Sequence, residues 1–229
     1  MKNIIKPAIL LATVAFSASL LLIMVRGVTY PVILQQERDR ERNALMMVLP
    51  GYEIGESRVV ALGSGEQFRF WIGEKIVDDE VLTGYAFIST NYGYSGDIKS
   101  MVGVDENNIM LGISIVQQSE TPGLGARVNE KASSETIWGV ILGKSYGREG
   151  ITEPWFQEQF KGIDLNKKIT IVKHGIWTSD MRDNLLDQNA VSAITGATIT
   201  TKAISGGLKE GLIKLTEAKI ISGLGGDLK

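Results

Sequence analysis

The sequence predicts an α+β protein in which a single N-terminal transmembrane helix precedes a domain built from an antiparallel sheet flanked by helices. Three observations predict this class: an uncharged apolar run at the start, short β-branched or aromatic segments between turns in the middle, and a long amphipathic pattern near the end. We expect residues 1–28 to form a cytoplasmic N-terminus and membrane anchor, 29–50 a linker helix, 51–221 an extracytoplasmic domain, and 222–229 a flexible tail.

The anchor is predicted from the run between Pro7 and Val25, which contains no charged residue. As a helix this run reaches roughly 28 Å, close to the thickness of a bilayer core. Lys2 and Lys6 precede it, so the positive-inside bias places the N-terminus in the cytoplasm and the remaining chain outside. A cleaved signal peptide and a buried core helix are the alternatives. The absence of a small-x-small site after Ile23 favours an uncleaved anchor.

The pattern after the anchor changes twice along the chain. Tyr30-Pro31 marks the membrane interface, and Leu34 to Leu49 is predicted to form a connecting helix that ends at Pro50-Gly51. The period then becomes that of strands, which predicts an antiparallel sheet whose last two strands are joined by a turn at residues 105–108. The predicted strands are residues 68–72, 82–88, 99–104 and 109–116.

The C-terminal third is predicted to be mainly helical. Pro154 to Phe160 is typical of a helix, and Lys168 to Val172 of one further strand. Ile199 to Ile221 is predicted to form a long helix because apolar residues recur at helical spacing. The residues that define this spacing are Ile204, Leu208, Leu212 and Leu215.

Composition excludes several chemistries. The chain has no cysteine, so it cannot form a disulfide, a thiolate zinc site or a cysteine-ligated iron–sulfur cluster. It has one histidine, His174, which is too few for a His-rich metal centre. If the protein moves electrons, an organic cofactor must carry them. His174 is interpreted as a structural turn residue rather than a proton carrier. A net charge of −2 gives no indication of a nucleic-acid partner.

Two short segments differ from this background. Glu120 to Gly125 reads ETPGLG directly after a predicted strand, where Pro-Gly favours a turn and the glycines allow close approach of a flat or anionic group. Ala193 to Thr201 reads AITGATITT and opens the long C-terminal helix. Taken singly, the first is typical of an ordinary turn and the second of a helix N-cap.

Together these segments resemble the FMN-binding domain found in the membrane-anchored G subunit of Rnf electron-transport complexes and in the C subunit of the sodium-pumping NADH:quinone reductase. The likeness extends to the N-terminal helix, the Gly93–Asp105 stretch and the aromatic residues at 155, 156 and 160. The G subunit is the nearer match, since the chain is short. The resemblance implies FMN linked covalently through its phosphate to the last threonine of [S/T]-G-A-T, here Thr198.

The resemblance also implies the surroundings of the flavin. The phosphate would lie against Gly196 and Ala197 at the helix N-terminus, and the ring against the Glu120–Gly125 loop. For Thr195, Thr200 and Thr201, capping and phosphate binding are equally open. The tryptophans are interpreted as core or interface residues rather than flavin-stacking residues. No catalytic and no metal-binding residue is predicted, and the candidate cofactor-binding residues are Thr198, Thr195, Gly196, Ala197, Thr200, Glu120, Thr121, Leu124, Gly125 and Tyr94.

The implied function is electron transfer, with no turnover by the protein alone. Its partners would be the other members of a membrane redox complex and an FMN transferase, because a threonine hydroxyl with no neighbouring His or Cys is a poor nucleophile. The expected location is the inner membrane, with the domain on the periplasmic side. The alternatives are the C subunit of the sodium-pumping reductase, a stand-alone FMN-binding reductase module and a flavin-free scaffold. Two features depart from the family: Ser192 stands where an acidic residue is usual, and the segment 128–153 is long.

Overall fold

The computed structural model describes residues 2–130, 154–173 and 181–224, with side chains from residue 5 onward. His174, Trp138, Trp177 and most of the long 128–153 segment lie outside the described residues. The chain divides into two compact units, Met1–Arg42 and Asn43–Lys229. The helices are α1 (Lys2–Val48), α2 (Trp155–Glu158), α3 (Arg182–Asp187) and α4 (Thr198–Ile221). The strands are β1 (Glu53–Ile54), β2 (Arg58–Ala61), β3 (Gln67–Val77), β4 (Glu80–Tyr92), β5 (Asp97–Asp105), β6 (Met110–Gln117), β7 (Thr170–Val172) and β8 (Ala190–Ser192).

The first unit consists of helical residues whose apolar side chains are exposed. Within the described residues, α1 is the one helix long and apolar enough to cross a membrane, from Ile5 onward. The helix predicted from Leu34 is not a separate element, because α1 runs through Pro31 without a break. A proline removes one helical hydrogen bond, here the bond to the Gly27 carbonyl, and the rest of the ladder continues on both sides.

The second unit is built on a six-stranded antiparallel sheet of order β1-β3-β4-β5-β6, with β2 also paired to β3. Strands β3 to β6 confirm the four predicted strands. The turn predicted between β5 and β6 is confirmed, and Asn108 there adopts a φ of 63°, which asparagine tolerates better than most residues. β1 and β2 were not predicted, since they are short and mostly exposed.

The two faces of the sheet bury different partners. On one face Ala44 and Val48 at the end of α1, together with Leu49 just after it, pack on Trp71 and Met101. On the other face lies the main core beneath α4. The predicted apolar positions of α4 are all buried there, and Leu208 and Leu215 are fully so.

Helix α4 lies unusually close to β4. A Cβ at Gly211 would collide with the Phe87 ring, and one at Gly207 would lie 2.7 Å from Ser89 Oγ. Glycine at these positions therefore lets the helix backbone approach the sheet. The close approach fixes where the first turn of α4 begins.

A second, two-stranded sheet corrects the prediction of a single sheet. β7 pairs in parallel with β8, with Thr170 opposite Ala190 and Val172 opposite Ser192. β8 was not predicted, because three residues are too few to show an alternating pattern. It leads through residues 193–197 directly into α4, so this small sheet positions the start of the long helix.

Candidate functional site

The two sequence motifs come together in a cavity of about 450 Å³. One wall is the loop after β6, the opposite wall is the first turn of α4, and Tyr94 from the loop after β4 lies at the rim. This volume is in the range of small-molecule sites. The lining residues are Tyr94, Glu120, Thr121, Leu124, Gly125, Gly196, Ala197, Thr198, Ile199 and Thr200.

Glu120 is the structural link between the walls. Its carboxylate is buried, 6% exposed, and accepts hydrogen bonds from the backbone N–H of Tyr94 at 2.8 Å and of Ser95 at 3.0 Å. The Thr200 hydroxyl donates to its other oxygen at 2.5 Å. Charge-assisted bonds of this kind are stronger than neutral ones. A single side chain therefore joins the loop after β4, the loop after β6 and helix α4.

Two glycines make room for this carboxylate. A Cβ at Gly93 would collide with Glu120 Oε1, and a Cβ at Gly125 would collide with Glu120 Oε2 and lie 2.6 Å from Thr200 Oγ1. The last glycine of the ETPGLG motif is thus required by Glu120 itself. Gly123 differs, because it adopts a φ of +77° with open space around its Cβ position and serves the turn.

The first turn of α4 has no side-chain cap. Its N-cap residue is Ala197, whose methyl side chain forms no capping hydrogen bond. Thr201 accepts from the Ile194 N–H at 3.2 Å and donates to the Ala197 carbonyl, while Thr200 bonds Glu120. In this structure their hydroxyls hold the turn together, and phosphate binding by them stays a prediction. Residues of this first turn line the cavity, so the positive end of the helix dipole lies beside it.

Two large apolar side chains contribute to the accessible part of the cavity. Leu124 is 44% exposed and Ile199 is 54% exposed, although both are large and apolar. Gly196, with a φ of +79°, brings the backbone close to Leu124, and a Cβ there would lie 2.9 Å from Leu124 Cδ2. These surfaces suit a flat aromatic ring, whereas the helix N-terminus beside them suits a phosphate.

The remaining predicted residues divide as follows. Thr195 is exposed and is not part of the lining. Ser192 is buried in β8, where its N–H donates to Gln159 Oε1 at 2.7 Å, so its position does not face the cavity lining. Ile199 was missed, although its place one residue after Thr198 on a solvent-facing turn was a usable signal.

The tryptophans among the described residues lie away from the cavity lining. Trp71 is buried under the C-terminal turn of α1, and Trp155 packs edge-on against Phe156. No group of acidic and histidine side chains suited to a metal ion occurs in the described ranges. The residues present fit FMN: an uncapped helix N-terminus for the phosphate, and an apolar wall for the ring.

Comparison with known proteins gives relatives that are G subunits of ion-translocating oxidoreductase complexes. The chain is 27% identical over 217 residues to the G subunit of the ion-translocating oxidoreductase complex of Escherichia coli O157:H7, covering 91% of this chain and 89% of that protein. It is 29% identical over 116 residues to the G subunit of the Na⁺-translocating ferredoxin:NAD⁺ oxidoreductase complex of Acetobacterium woodii. That second match covers 51% of this chain and 41% of the relative.

Solved structures of similar proteins also exist. The C subunit of the Na⁺-translocating NADH-quinone reductase from Parabacteroides distasonis is 20% identical, with a TM-score of 0.49, over 82% of this chain and 94% of that one. The NqrC protein of Shewanella oneidensis gives a TM-score of 0.42 at 18% identity, over 63% of this chain and 55% of that one.

The family itself is established by the domain that contains the site. Residues 93–213 match the FMN-binding domain, a range that begins at the loop bonded to Glu120 and includes both cavity walls. The N-terminal apolar helix and the G-subunit relatives indicate a membrane-associated, single-pass protein. The resemblance read from the sequence is confirmed: the chain belongs to the family of FMN-binding domain proteins, and its curated relatives are G subunits of ion-translocating oxidoreductase complexes.

Proposed function

We propose that this protein is a membrane-anchored electron-transfer component that carries FMN on Thr198 through a phosphoester bond. The observation that carries the proposal is the single cavity in which Thr198, the uncapped start of α4 and the apolar side chains of Leu124 and Ile199 meet. Bound FMN would supply one- or two-electron redox chemistry. The relatives' role as members of redox complexes supports the same interpretation.

The side chains around the cavity have separate tasks in this proposal. The free N–H groups of the first turn of α4 stabilise the charge of the phosphate attached to Thr198. Leu124 and Ile199 cover a face of the ring and exclude water from it. Glu120 is not directed to the flavin, because both of its carboxylate oxygens already accept hydrogen bonds from Tyr94, Ser95 and Thr200. It positions the two walls instead.

Attachment requires an external transferase. The buried acid of the cavity, Glu120, bonds the Thr200 hydroxyl rather than that of Thr198, so it is not available as a general base for attack by Thr198. The transferase would join Thr198 Oγ to phosphorus and break a P–O bond of its flavin donor. The hydroxyl proton would leave with the displaced oxygen. This protein is therefore the substrate of that step.

The domain is proposed to lie on the periplasmic side of the membrane. Lys2 and Lys6 precede the apolar part of α1, which favours a cytoplasmic N-terminus. Covalent attachment suits a carrier outside the cytoplasm, because a reversibly bound FMN would be lost there by dilution. The proposed partners are the other subunits of an Rnf-type complex.

In-gel flavin fluorescence of the denatured protein tests the proposal. The full chain, made in a host that contains the flavin transferase, should give a fluorescent band and an intact mass higher by one FMN less one water. Thr198→Ala should abolish both signals. Thr216→Ala is the matched control, since Thr216 lies on the same helix, lines no part of the cavity and donates its hydroxyl to the Leu212 carbonyl. An undiminished band in Thr198→Ala excludes Thr198, and a wild-type protein without flavin supports the scaffold alternative.

A further inference from the structure

A second cavity lies against the same helix and is distinct from the flavin site. It has a volume of about 320 Å³ and lies between residues 165–171 and α4. Four lysines line it, and we call it the lysine cleft: Lys167 and Lys168 come from the segment before β7, while Lys202 and Lys209 come from α4. No carboxylate is among its lining residues.

The charge of the lysine cleft is largely unneutralised. Lys167 pairs with Asp164 at 3.2 Å. Lys168, Lys202 and Lys209 form no ion pair within the described part of the chain. The whole chain carries a net charge of −2, so this concentration of positive charge is local. Such a patch attracts anionic groups and speeds their association.

One buried polar atom at the cleft has no partner. Ser205 lines the cleft and is 8% exposed, and its hydroxyl oxygen forms no hydrogen bond. A serine in a helix can bond the carbonyl four residues earlier, here that of Thr201, yet this bond is absent. Buried polar groups are rarely left unpaired, so this hydroxyl indicates a ligand that completes it.

The base of the cleft is apolar. Leu165 is buried, and Ile169 and Ile171 are half-buried members of the main core. A free phosphate would gain little from this surface, because it needs donors on all sides. A protein segment that carries carboxylates beside apolar side chains satisfies both the lysines and the apolar base.

We propose that the lysine cleft is the docking surface for an acidic face of a redox partner protein. The inference rests on the proposed function, since it names the partner's surface for the flavin carried by Thr198. Lys202 lies four residues after Thr198 on α4, a rise of roughly 6 Å along the helix. Docking here brings the partner close to the flavin-bearing turn. Contacts between redox proteins are typically small and charge-steered, which a cleft of this size suits.

Zero-length carbodiimide cross-linking tests the docking directly, because it joins a lysine amine to a carboxylate only when they are in contact. Membranes of a host that makes the whole complex are treated, and the cross-linked peptides are identified by mass spectrometry. We expect Lys202 or Lys209 to be joined to an Asp or Glu of another chain, with a yield that falls at high salt. Cross-links confined to this chain, or inter-chain yields no higher than those of Lys75 and Lys99, overturn the proposal.

Reversing the charge of two lysines in the cleft tests whether docking there matters for electron transfer. Lys202→Glu/Lys209→Glu should slow flavin reduction or reoxidation in the complex by about tenfold at low salt and flatten its salt dependence. Lys75→Glu/Lys99→Glu is the matched control, since these lysines lie on the sheet face opposite α4 and the formal charge change is identical. If both double variants slow flavin reduction or reoxidation equally, specific docking at the lysine cleft is contradicted.

Two further readouts separate the outcomes. In-gel flavin fluorescence tests the proposed function independently of the docking surface. A protein that lacks flavin but still cross-links to a partner at the lysine cleft contradicts the proposed function and supports the docking surface. Calorimetric titration of the full chain with pyrophosphate checks the small-anion alternative. Binding that depends on Lys202 and Lys209, together with no inter-chain cross-link, overturns the protein partner in favour of a free anion.

Discussion

The link between Glu120 and Thr200 gives the sharpest quantitative prediction. Thr200→Val preserves the shape of the side chain and removes the hydroxyl that donates to Glu120 Oε2. Glu120 is buried, so this oxygen loses its donor away from bulk water, and we expect a loss of about 1–3 kcal/mol in the free energy of unfolding. Glu120→Ala removes all three bonds and should cost about 3–5 kcal/mol, less than their gross sum because water can enter from the cavity.

A double-mutant cycle isolates the pair. With Glu120 already absent, Thr200→Val should cost no more than about 0.5 kcal/mol, so the coupling energy should be roughly 0.5–3 kcal/mol. Urea denaturation of the full chain in detergent, followed by tryptophan fluorescence, measures each corner of the cycle. Thr216→Val serves as the control on the same helix and should change stability by about 0.5 kcal/mol or less. Additive effects of the two substitutions would refute the role given to Glu120.

Further predictions concern neighbouring positions. Gly211→Ala should destabilise the fold by about 2 kcal/mol or more in urea denaturation, because its Cβ collides with the Phe87 ring. Gly206→Ala should instead stabilise it by about 0.5–1 kcal/mol, since a Cβ there meets only ordinary contacts and alanine favours helix. Burial alone would raise the pKa of Asp164, but hydrogen bonds from the Asn166 N–H and from Lys167 lower this pKa below its usual value. Asp164→Asn should therefore destabilise the protein at neutral pH, and in pH-dependent denaturation this loss should vanish as the pH falls through the lowered pKa.

Segments with a long, regular period were predictable from sequence. The period of α4 persists over several turns, and β3 to β6 are each long enough, and rich enough in β-branched or aromatic residues between turns, to be recognised. The three residues of β8 carry no such period, and their pairing with β7 is a tertiary contact. The continuity of α1 through Pro31 was missed because a proline is a weaker breaker when both flanking segments favour helix.

The membership of the candidate site was easier to predict than the roles within it. Nine of the ten predicted residues line the cavity, Thr195 being the exception. The task of Glu120 could not be predicted, because its bond to Thr200 joins residues eighty positions apart. The reason for a glycine at position 125 could not be predicted either, because the absent side chain makes room for Glu120 rather than for the flavin. Local sequence shows which residue types are present, whereas these roles depend on long-range pairing.

The composition of α4 connects the stability of the fold to the position of the cofactor. This helix contains Gly206, Gly207 and Gly211, and each glycine inside a helix costs about 1 kcal/mol relative to alanine. Its stability must therefore come from packing on the sheet, where Phe87 and Ser89 lie against these glycines. Because Thr198 begins the same rigid helix, the sheet contact fixes the place of the attachment site. A substitution that lifts α4 from β4 should thus disturb the flavin cavity and the lysine cleft together, although it touches neither.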